Sequence, residues 1–97
     1  MFTDLHIETA PMIDTAVELE NSAKLTAEMA DRLQEKRTQF LQSTAGAASE
    51  AGGGQMQMLI DQLYIRSGKL TRNATVLRNL VALYEQADLD GARSFGA

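Results

Sequence analysis

An all-α antiparallel hairpin is the fold class predicted here, and three observations predict it. Apolar residues recur at alternating steps of four and three along two long segments. No Gly or Pro interrupts the first segment between Pro11 and Gln42. A stretch rich in Gly, Ala and Ser divides the two. With 97 residues the chain makes one domain at most.

Residues 1–9 have no pattern and are expected to form a flexible arm. Helix 1 is predicted over 10–43. Pro11 suits a first helical turn, where its missing N–H costs nothing, and Thr9 beside it can cap. The stripe then runs Met12, Ala16, Leu19, Ala23, Thr26, Ala30, Leu33, Arg37, Phe40, Thr44, an a/d heptad seam without a slip. Residues 44–54 are predicted as the turn, partly helical. Gly52, Gly53 and Gly54 disfavour helix by roughly 1 kcal/mol each against Ala. Helix 2 therefore starts either at Ala47, tolerating them, or near Gln55, and runs to residue 90. Its stripe is Met56, Ile60, Leu63, Ser67, Leu70, Ala74, Leu77, Val81, Tyr84, Asp88. Gly91 can cap it, and 91–97 reads as a flexible tail.

Two helices of similar length and a short connection make an αα-hairpin. Each stripe is wider than one partner helix can cover. Ile13, Val17, Met58, Leu59, Tyr64 and Ile65 are left over. An exposed apolar patch of that kind marks an interface. The expected solution is a second hairpin packed against the first as a four-helix bundle, with Leu33, Phe40, Leu63, Leu70 and Leu77 in the dimer interface.

Net charge is −4, unevenly spread. Residues 1–35 hold 8 acidic and 2 basic side chains, and residues 36–84 hold 2 acidic and 6 basic. Opposite signs favour antiparallel docking of the helices. Arg37 at a seam position asks for an acidic group facing it, from a partner or a neighbouring helix. A nucleic-acid role is not expected, since the basic residues are few and lack an aromatic platform. Without Cys, and with His6 as the sole His, no metal cluster and no cofactor are expected. Ser43, Ser49 and Ser67 have no histidine base in reach, so no enzyme is expected. Asn73-Ala74-Thr75 matches a glycosylation pattern but lies within a helix. The five Met residues read as ordinary core at helical spacing. No basic stretch followed by an apolar run opens the chain, so no ordinary signal peptide is expected, nor any membrane span.

Tyr84-Glu85-Gln86-Ala87-Asp88 puts a Tyr and an acid one turn apart on one helix face. Such spacing arises easily by chance, as a core aromatic beside a solvated acid. Over nearly its whole length, however, the chain resembles the WXG family of small type VII secretion substrates. The shared features are its size, two helices, a central turn and Y-x-x-x-D before the tail. That resemblance implies a secretion signal at Tyr84 and Asp88, read by the secretion ATPase, with Leu89 or Phe95 assisting. It also implies a homologous hairpin as partner in a heterodimer, or a homodimer, and a secreted protein without a cleaved signal peptide. The family's W-x-G turn departs here: Thr44 replaces the Trp, and Gly46 keeps the glycine at the turn. The alternative reading is an intracellular coiled-coil adaptor or chaperone with no export role. Membrane-surface action is a third and weaker reading, because helix 1 is acidic.

Overall fold

Helix formation starts where the fixed φ of proline first allows it. The computed structural model describes residues 8–96, with side chains through Gly91. Its two helices are α1 (Ala10–Ser43) and α2 (Ala47–Gly96). Pro11 sits in the first turn of α1. Thr9 occupies the N-cap position, but its side chain makes no capping hydrogen bond. Its carbonyl instead accepts the Ile13 N–H at 3.0 Å.

At its other end α1 closes on Thr44, whose backbone is extended. Both the N–H and the Oγ1 of Thr44 donate to the Phe40 carbonyl, at 3.0 and 2.6 Å. Two residues later Gly46 reverses the chain with φ +78°, a conformation that favours glycine. The Gly46 carbonyl then accepts the Glu50 N–H at 3.2 Å, opening α2 at Ala47. Glu50 in that first turn also faces the positive end of the helix dipole.

Of the two predicted starts, Ala47 is the one adopted, and tertiary contact explains why the glycines stay helical. A Cβ on Gly52 would stand 2.6 Å from Phe40 Cζ, and one on Gly53 would stand 2.8 Å from Leu41 Cδ2. The missing side chains thus leave room for α1 to approach. The seam continues back through buried Gly53 and Ser49 in the same steps of four and three. Packing of this kind outweighs helix propensity.

The far end of α2 differs from expectation. Gly91 does not cap it, and the helix continues to Gly96. Among the described residues only Gly46 takes a positive φ, so Gly91 lacks the left-handed geometry a glycine cap needs. The helices are accordingly unequal, 34 residues against 50. At about 1.5 Å per residue they are roughly 51 and 75 Å long, which accounts for the 76 Å long axis. Residues 1–7 of the expected arm, with His6, lie outside the described residues, as do Ala97 and the side chain of Phe95.

The two helices pack antiparallel along the predicted stripes. Every residue of both, Met12 to Thr44 and Met56 to Asp88, is buried or half-buried. Alanines lie deepest in α1, where Ala16, Ala23 and Ala30 are at most 4% exposed. In α2 the buried set is Ile60, Ala74 and Val81. Small residues on one rod against larger ones on the other let the helices approach closely.

Candidate protein-pairing surface

A two-helix seam divides the residues beside it into two flanks. One flank holds the residues that directly follow seam positions in both helices. The other holds those that directly precede them. Antiparallel packing brings like flanks together, because reversing a helix reverses the order in which its neighbours appear.

The following flank is tied across. Arg78 donates twice to Glu20, from Nε to Oε2 at 2.8 Å and from Nη2 to Oε1 at 2.7 Å. This is the one ion pair between the helices among the described residues, so the charge imbalance of the halves makes little direct bonding. The Arg78 guanidinium holds the Glu20 carboxyl below its ordinary range, and Glu20 in turn raises Arg78. Both remain exposed, so water screens the pair. Tyr64 Oη donates to Asp31 Oδ1, and that hydrogen bond pushes the phenol above its usual value.

In the seam itself Ser67 Oγ donates to the Ala23 carbonyl at 2.8 Å. Arg37 Nε donates to the Gly53 carbonyl at 2.9 Å. Within the hairpin, then, Arg37 meets a backbone carbonyl and not the acidic group expected of it. A carbonyl has two lone pairs, so the oxygen can serve both the helix and the guanidinium.

The preceding flank has none of these side-chain bonds. It carries Leu25 (60% exposed), Met29, Leu59, Val76 and Leu83 (64% exposed), with Leu80 half-buried among them. Near the turn these residues bound an open groove of about 370 Å³, lined by Met29, Arg32, Leu33, Lys36, Leu59 and Leu63. Of the six residues expected to be left over, Val17, Met58, Leu59, Tyr64 and Ile65 are exposed, while Ile13 is half-buried. The sequence stripe did not single out Leu25, Val76 and Leu83. Their signal was their place immediately before a seam residue.

Leu33, Phe40, Leu63, Leu70 and Leu77 occupy the seam between α1 and α2, half-buried by the hairpin's own packing. Phe40 is the one seated over Gly52. Thr44 and Gly46 form the turn described above.

Tyr84 and Asp88 lie at the open end. Thirteen residues back from Ala23, Ala10 falls level with Leu80, thirteen on from Ser67. Ten residues back from Glu20 it falls level with Asp88, ten on from Arg78. The pair therefore lies level with the start of α1 or just beyond it, on the seam line and half-buried. The turns after Asp88 project past that level. Asp88 is two turns inside α2 and not at its end, as the predicted boundary would have it. Leu89 beside it is 47% exposed.

No helix among the described residues is long and apolar enough to cross a membrane. No group of three or more His, Cys, Asp or Glu there could hold a metal ion. Compared with known proteins, the chain matches no protein family, no curated protein and no solved structure.

Proposed function

We propose that this chain is a non-enzymatic pairing protein. Its hairpin docks a second, similar hairpin to complete a four-helix bundle, as a heterodimer in preference to a homodimer. The folded pair is then a substrate of type VII secretion, with Tyr84 and Asp88 as the signal read by the secretion ATPase. The observation that carries the pairing is the preceding flank. Leu25, Met29, Leu59, Val76 and Leu83 are each about half exposed or more along a face with no cross-helix side-chain bond. Soluble proteins rarely leave such a face to water.

Shape supports the same reading. The radius of gyration is 22.2 Å, against about 12.5 Å for a compact chain of this length. The accessible surface is 7148 Å², against roughly 5,500 Å² for a compact protein of this mass. The excess is about twice the roughly 800 Å² that each partner buries in a standard protein–protein interface.

The export half of the proposal rests on the resemblance and on the position of Tyr84 and Asp88 near the open end, away from the turn. Its test is Asp88→Ala, expressed with the native chain as reference. The variant should keep its helicity and its pairing but disappear from the culture medium. Secretion at the native level would overturn the export role and leave an intracellular adaptor as the reading of the same hairpin.

A further inference from the structure

We infer that the partner's contacting element is an acidic amphipathic helix, lying on the preceding flank near the turn, with its carboxylates on Arg32, Lys36, Arg66 and Lys69. This rests on the reading of the chain as a pairing protein, and adds which flank docks and what charge the partner carries.

The groove floor is apolar and its rim is cationic. Arg32 and Lys36 line the groove beside Met29 and Leu59. Arg66 and Lys69 line an adjoining open concavity of about 400 Å³ along α2, with Ile65 and Leu70. In the turn-side half of this flank no carboxylate stands among the four cations. Its two acids within the helices, Glu18 and Asp90, lie toward the open end. On the opposite flank the acids Glu20 and Asp31 are already engaged, by Arg78 and Tyr64. None of the four cations makes an ion pair or side-chain hydrogen bond with another described residue. Complementary potential at an interface sets partner choice more than raw affinity.

A second copy answers this charge poorly. Packed turn to turn, four cations meet four cations, and like charges brought together disfavour that pairing. Turned end for end, each cluster meets only Glu18 and Asp90. A helix with apolar residues at heptad spacing and Glu beside them fills the groove and pairs every cation, the helix-in-groove mode of recognition. An anionic bilayer would also attract the cations. The apolar floor, however, is a concavity between two rods, and the exposed acid Glu35 and half-buried Glu28 on α1 oppose a lipid surface.

The test uses the full chain and three probes: a heptad peptide with Leu at a and d and Glu beside them, the same peptide with Lys for Glu, and phosphatidylglycerol vesicles. The Glu peptide should bind about tenfold tighter than the Lys peptide at low salt, a gap of about 1.4 kcal/mol. High salt should narrow the gap, because the rim is exposed. The combined variant R32E, K36E, R66E, K69E should reverse the order of the two peptides with unchanged helicity. Leu59→Asp should abolish binding, whereas Val17→Asp on the other flank should not. Equal affinity for both peptides, binding to neither, or tighter capture by the vesicles overturns the inference. If neither peptide binds but the chain forms a stable dimer through the other flank, this inference falls and the pairing function stands. A folded monomer that binds nothing defeats both.

Discussion

Tyr64 and Asp31 show how one exposed hydrogen bond becomes a measurable dependence on pH. The bond needs the phenol protonated, and it raises the Tyr64 pKa above 10.0. The folded state therefore holds that proton more tightly than the unfolded chain. Its contribution to stability is present below the unfolded value and is lost as pH rises through the folded one. Glu20 works in the other direction. Arg78 lowers its pKa below 4.5, so its contribution is present above the unfolded value and is lost as pH falls through the folded one. Urea midpoints measured against pH check both. The deficit of Tyr64→Phe should vanish at strongly alkaline pH, and that of Glu20→Gln should vanish in acid. Deficits that stay constant across pH would show that neither bond forms in solution.

At the scale of the element, glycines that look alike in α2 have opposite expected effects. Gly54 and Gly68 have no side-chain neighbour within 4 Å of an added Cβ. Gly54→Ala and Gly68→Ala should each stabilise by up to about 1 kcal/mol, from helix propensity alone. Gly52→Ala gains the same propensity but drives a methyl into the Phe40 ring. Overpacking of that kind costs about 1–3 kcal/mol, so the net effect should be destabilising. Gly53→Ala meets the flexible, exposed end of Leu41, which can move aside at lower cost. Gly46→Ala should cost about 1–2 kcal/mol, since its φ of +78° is strained for a residue with a Cβ. Ile60 is the one large side chain that is fully buried among the described residues. Ile60→Ala should cost about 2–5 kcal/mol. Thermal unfolding followed by circular dichroism ranks the set.

For the whole molecule, the decisive quantity is how little a lone hairpin buries. Among the described residues the buried apolar set is four alanines with Ile60 and Val81. Burial contributes about 25 cal/mol per Å² of apolar surface, so small side chains stabilise little. A rod held by one narrow seam should gain from any partner that binds only the folded form. Its melting temperature should then rise with protein concentration, or on adding the partner. Light scattering combined with size-exclusion chromatography gives the mass directly. A melting temperature that stays fixed over a hundredfold range of concentration, with a monomer mass and no response to any added hairpin, would exclude pairing.

Local periodicity was enough to predict both stripes residue by residue, from Met12 to Thr44 and from Met56 to Asp88. A heptad pattern records on one strand of sequence which face must leave water. The place of the turn at Gly46 was legible for a similar reason, since the pattern breaks where the helix does. The limits of α2 were not. Its start depends on Phe40 and Leu41 of the other helix filling the space above Gly52 and Gly53, and propensity argued the opposite. Its end depends on Gly91 declining a conformation it is free to take. Nor could the stripe say which flank would be bonded and which open. Residues just before and just after the seam look equivalent along the chain. Only the antiparallel register, which sets Arg78 against Glu20 and Tyr64 against Asp31, leaves Leu25, Met29, Leu59, Val76 and Leu83 on the side with no side-chain bond between the helices among the described residues.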